Sequence, residues 1–198
     1  MKGYSFIEVL IVMALIGMML LIWAGSSLRA AERQRGFDNF RREIVYALER
    51  CRWKAMNERS YAGAMVEKIN GTYVANFYLD GNRNGIRLAD IQSGVDALFL
   101  RSYELSKEKG DIAAGILQSE PVPEIPPKTG VLDPSGDPVK FGRSDIISFS
   151  PNGDSSSGTL YLSCPSQHQM FALVLYGATA RLTVWKYSNH QWQMVGDQ

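Results

Sequence analysis

The stretch Gly3-Tyr4-Ser5-Phe6-Ile7-Glu8-Val9-Leu10 opens an apolar run that continues to Ala24. From Phe6 the run is 19 residues long, and a helix needs about 20 to cross the hydrocarbon of a bilayer. One carboxylate, Glu8, breaks it. A charge within hydrocarbon costs a few kcal/mol at mid-depth and less near the end, so Glu8 needs a partner. Three readings compete. The first is a secretory signal cut near Ala24-Gly25-Ser26, the second an ordinary single-pass anchor, and the third a short leader ending at Gly3. Met1-Lys2-Gly3 is too short to supply both the charged and the apolar region of a signal. If the leader ends at Gly3, Tyr4 becomes the N-terminus and Glu8 lies one helical turn from its amine. The ammonium of one copy and the carboxylate of a neighbour then neutralise each other at low dielectric. This third reading explains the most, since an ordinary signal peptide has no use for Glu8.

The helix is expected to continue to about Asn57. Phe37, Phe40, Ile44, Leu48, Cys51 and Ala55 recur at spacings of 3, 4, 4, 3 and 4, one apolar stripe at helical period that wants a sheet to pack on. Arg41, Arg42, Glu43, Glu49, Arg50 and Lys54 occupy the other faces, and no proline precedes Pro121. After Ser60 the pattern alternates. Ala64–Ile69 and Thr72–Leu79 flank Asn70-Gly71, a hairpin signal. Further strands are predicted at Leu98–Leu105, Asp145–Phe149, Thr159–Ser163, Met170–Tyr176, Arg181–Tyr187 and Gln191–Val195. Residues 119–138 hold six of the eight prolines and read as a long surface loop.

With 45% hydrophobic and 21% charged residues in 198, wholesale disorder is excluded. A net charge of +1 argues against wrapping nucleic acid by bulk charge. That balance hides a net +4 over Ser26–Ser60 and −3 from Tyr61 onward. Cys51, Cys164, His168 and His190 fit no zinc spacing. The two cysteines are an even pair, and the sequence leaves open a bridge or two buried thiols. Asp80-Gly81-Asn82-Arg83-Asn84-Gly85 matches the first half of a calcium loop, with Asp80, Asn82 and Asn84 as ligands. The twelfth position is Ile91 instead of glutamate, which favours a polar turn. Cys164 and His168 lack a third orienting group, so no catalytic site is expected. Trp185, Tyr187, His190 and Trp192 form an aromatic C-terminal region at sheet spacing.

The Gly3–Leu10 pattern resembles the processing site of type IV pilins and type II secretion pseudopilins. The β-rich half resembles the H-type pseudopilin domain, through Phe77, Asp80, Asn82, Asn84 and Gly85 and later Ile147, Phe149, Gly153, Gly158, Thr159 and Leu160. The sequence departs from the family at Tyr4, where phenylalanine is usual, and in lacking a proline near Ser26. The resemblance implies an α+β, pilin-like fold: a long N-terminal helix, membrane-spanning in its first half, packed on an antiparallel β-sheet domain. It implies a leader over residues 1–3, an assembly helix over 4–25, an amphipathic continuation over 26–60 and a periplasmic domain over 61–198. It implies cleavage between Gly3 and Tyr4 by a prepilin peptidase, N-methylation of Tyr4, and assembly through Glu8. The implied role is a minor pseudopilin, a structural subunit and not an enzyme, without cofactor. Its implied partners are other pseudopilins or pilins, the peptidase, an inner-membrane assembly platform and the membrane, with no nucleic acid. Arg29, Arg33 and Arg35 would by the positive-inside rule put the following domain in the cytoplasm. The resemblance puts it outside the inner membrane, and that is the placement expected. A minor type IV pilin, and a secreted or anchored β-domain binding module, are the alternatives.

Overall fold

The computed structural model describes the backbone of residues 6–107 and 112–197, and within them the side chains of residues 6–20, 35–106 and 112–196. One helix, α1 (Phe6–Glu58), runs for 53 residues, about 80 Å at the usual rise. It is followed by antiparallel strands in two sheets, so the chain is α+β.

The first sheet has four strands, in the order β3 (Ala97–Glu104), β2 (Thr72–Leu79), β1 (Ala62–Ile69), β7 (Ile146–Phe149). The β1–β2 hairpin pairs Ile69 with Thr72. Asn70 and Gly71 take φ of 49° and 86°, the left-handed pair that a two-residue turn requires. In β1, Gly63 is pressed against β7: a Cβ there would overlap the Ile147 carbonyl oxygen and stand 3.0 Å from Ser148 Cα. Between β2 and β3 lies a short helix, α2 (Leu88–Ser93).

The second sheet runs β11 (Gln191–Asp197), β10 (Arg181–Ser188), β9 (Gln169–Tyr176), β8 (Gly158–Cys164), β5 (Ile112–Ala114), β4 (Ser106–Lys107), and β6 (Val139–Lys140) also pairs with β8. The sequence leads to an antiparallel β-sheet domain. The structure divides the strands between two sheets and adds β4, β5 and β6, each too short to carry an alternating pattern.

Both sheets bury one face against the second half of α1. The stripe from Phe37 to Ala55 is buried throughout and joins the main core with Ala64, Phe77, Ile147, Leu160, Phe171, Leu173 and Val184. Strand alternation places Leu160 and Leu162 of β8 toward the helix and Tyr161 on the opposite face. There a second cluster forms, with Leu117, Val122, Leu132, Tyr161, Met170 and Tyr187. The proline-rich segment is therefore more than a surface loop: Val122 and Leu132 are buried, and Leu132 N–H donates to the Val122 carbonyl at 2.8 Å. Isolated apolar residues among prolines carry no period, so the sequence alone does not reveal this small core.

Burial, helped by the nearby Glu124 carboxylate, pushes the Tyr161 hydroxyl up to about 12. Unfolded tyrosine titrates near ~10. Between these values the folded chain holds a proton that the unfolded chain has lost. Tyr161 should thus contribute its full stability below pH ~10 and lose it as pH rises toward about 12. Urea midpoints measured from pH 8 to 11 should fall less steeply in Tyr161→Phe than in the wild type.

Candidate functional site

From Phe6 to Leu20, the large apolar side chains of α1 are uncovered among the described residues. Its twelve large apolar side chains there are 49–79 % exposed and point in every direction around the helix. Glu8 stands in the first helical turn, between Ile7 and Val9. That position suits a carboxylate, because the helix N-terminus carries positive partial charge. Gly3 and Tyr4, the expected processing residues, lie outside the described residues. Among the described residues, no helix is long and apolar enough to cross a membrane. The described side chains of the apolar run stop at Leu20.

The D-x-N-x-N-G stretch folds around two buried carboxylates. Asp80 is 4 % exposed. Its Oδ1 accepts the N–H groups of Asn82 and Arg83 at 2.9 and 2.8 Å, and its Oδ2 that of Gly85 at 2.7 Å. Asp96, equally buried, accepts from Gly81 N–H at 3.3 Å and Arg87 N–H at 3.2 Å. Asn82 Oδ1 accepts from Asn84 N–H at 3.2 Å. Ser60 Oγ donates to the Asp80 carbonyl at 2.9 Å, which ties the loop to the end of α1. The oxygens of Asp80 and Asn82 thus serve backbone amides and shape the turn. Among the described residues, no group of three His, Cys, Asp or Glu is placed to hold a metal ion. Asp80→Ala strands three amides at once. It should cost about 1–3 kcal/mol, read as a drop in the urea midpoint; an unchanged midpoint would contradict the role assigned to Asp80.

Of the two arrangements the sequence leaves open, the structure has Cys51 and Cys164 as two buried thiols in the main core, not joined to each other. Cys51 sits on the buried stripe of α1, and burial pushes its thiol well above the usual range. Such a thiol is a poor nucleophile. Cys164 Sγ is 3.6 Å from Ser166 Oγ. His168 does not meet it; its Nδ1 faces Ser119 Oγ at 3.4 Å. His190, at the tip of the β10–β11 hairpin, pairs with Glu120 at 3.0 Å, a contact that the sequence gives no means to foresee. Trp192 Nε1 donates to the Pro123 carbonyl at 2.7 Å, and its ring packs on Tyr187. The aromatic C-terminal region therefore anchors the proline-rich segment.

The structure does not gather Glu8, Asp80 and the cysteines into one site. The feature with no internal structural explanation is the bare apolar half of α1. A second feature, which sequence reasoning missed, lies on the packed half, where Arg41, Arg42, Arg50 and Arg52 line a groove with Tyr46 and Trp53. Their helical spacing is its only trace in the sequence. No family model, curated protein or solved structure matches this chain.

Proposed function

We propose that the chain is a pilin-type assembly subunit, a protein whose N-terminal helix packs with those of neighbouring subunits while its β-domain faces outward. Within that class we propose a minor pseudopilin of a type II secretion filament, anchored in the inner membrane with its domain in the periplasm. The observation that carries this reading is the division of α1. The stripe Phe37, Phe40, Ile44, Leu48, Cys51 and Ala55 is buried in the domain, whereas Phe6–Leu20, apolar but for Glu8, has its large side chains exposed. A helix apolar on every side must be covered, and the β-domain does not reach it. Lipid covers it before assembly, over the run that continues to Ala24, and sister helices cover it afterwards. Glu8 gives that packing its register. A carboxylate among apolar side chains is costly in such a bundle, and the ammonium of Tyr4 on an adjacent subunit offsets the cost when the two subunits are correctly staggered. The role is structural, and the chain is the substrate of the peptidase that removes residues 1–3 and methylates Tyr4.

A photo-reactive residue at Val12 tests this in the native membrane. Adducts to the apolar helix of another pilin-type subunit are expected. Adducts to lipid alone would remove the reading.

A further inference from the structure

On the flank of α1 facing β10 and β11 lies an open groove of about 700 Å³. Arg42, Tyr46, Arg50 and Trp53 follow one another along one helix face at spacings of 4, 4 and 3, with Arg41 and Arg52 beside them. Four arginines stand against one carboxylate, Glu49, in its lining. Tyr46 and Trp53 are 63 % and 62 % exposed, unusual for large aromatics on a stretch of helix that is otherwise well packed. Among the described residues, the buried Nε atoms of Arg41 and Arg52 meet no hydrogen-bond partner. The Arg41 guanidinium lies 5.2 Å above the Phe171 ring, so its position is fixed by the core. Across the groove, Val195 and Gly196 of β11 form the wall. Among the described residues, β11 pairs only with β10 and ends the seven-stranded sheet, so its outer edge offers backbone groups to an incoming chain.

We propose that this groove binds an acidic segment of a partner protein in extended form, added as a strand to β11. Side chains alternate along an added strand. Carboxylates on one side would meet Arg41, Arg42, Arg50 and Arg52, whose planar forks suit them. Strand addition supplies main-chain affinity, and the arginines supply the choice of partner. A single-stranded nucleic acid could also meet arginines and stack on aromatics, but it has no use for a free strand edge. The proposal draws only on the packed half of α1 and the β-domain, so it stands whether or not the apolar half assembles as described above.

The test uses the full-length protein in detergent micelles and a short fluorescein-labelled peptide of alternating valine and glutamate, followed by anisotropy. Saturable binding is expected, weakening as salt rises. Arg42→Glu/Arg50→Glu, both at solvent-facing positions of the groove, should weaken it about tenfold or more, with circular dichroism matching the wild type. The same peptide N-methylated at alternate backbone nitrogens keeps its charge and loses its strand-forming donors, and it should bind more weakly as well. Absence of peptide binding, or equal binding by the charge-reversed variant, would overturn the proposal. Equal binding of the N-methylated peptide would overturn strand addition. Tighter binding of an oligothymidylate than of the peptide would assign the groove to nucleic acid and overturn the proposal too.

Discussion

Glu8→Ala is expected to insert into the membrane and to be cleaved as the wild type is, yet to stop cross-linking to neighbouring subunits. The reasoning is energetic. Removing the carboxylate makes the run from Phe6 to Ala24 more apolar, so insertion becomes easier. Gly3 and Tyr4 are untouched, so the proposed cleavage site remains. What disappears is the only charge within the run that can answer an ammonium on an adjacent subunit. Breaking a buried pair by deleting one partner typically costs about 3–5 kcal/mol, because the other charge is left uncompensated. That corresponds to a loss of more than about a hundredfold in association. Glu8→Asp, which keeps the charge on a shorter stem, should recover part of the cross-linking, whereas Glu8→Gln should recover little. Normal cross-linking in Glu8→Ala would mean that the helices pack by shape alone.

Phe37→Ala should strongly destabilise the domain. Phe37 is wholly buried where α1 meets the seven-stranded sheet, and its ring centroid lies 4.6 Å from that of Phe171. Truncation removes the apolar contact and leaves a cavity that a long helix and a sheet cannot both move to fill. The expected loss is about 3–5 kcal/mol, a large share of the roughly 5–15 kcal/mol that holds a typical domain folded. A double-mutant cycle with Phe171→Ala should show coupling of about 0.5–1.5 kcal/mol from the ring pair. Ile11→Ala provides the contrast. It deletes a large apolar side chain from the bare half of the same helix, and it should leave the urea midpoint of the domain unchanged. Comparable losses at Phe37 and Ile11 would contradict the division of α1 into a packed half and a bare half.

That division is largely written in the sequence. The 3–4 spacing from Phe37 to Ala55 marks a helix with one buried face, and all six of those residues are buried. The nearly uninterrupted apolar run before it marks a helix with no polar face to turn to water. Asn70-Gly71 likewise fixes the first hairpin, because few residue pairs accept two successive left-handed conformations. Other features depend on contacts between distant segments. The strands Ile112–Ala114 and Val139–Lys140 exist because each finds an open edge of β8, and two or three residues cannot announce that locally. Val122 and Leu132 become core only because Tyr161 and Met170 present the far face of β8 and β9 to them. Asp80 reads as a metal ligand by spacing alone; burial and three amide donors reveal a turn-forming role. The arginines beside Tyr46 and Trp53 look like an ordinary solvated helix face until β11 is placed opposite them.

The central claim is that Glu8 is answered by the amino group of Tyr4 on a neighbouring subunit, and intact-mass analysis of the protein taken from native membranes tests it most directly. The predicted result is a chain that lacks Met1, Lys2 and Gly3 and begins at Tyr4, with a methyl group on its amine. A chain that keeps those three residues, or one that begins near Ser26, would contradict it.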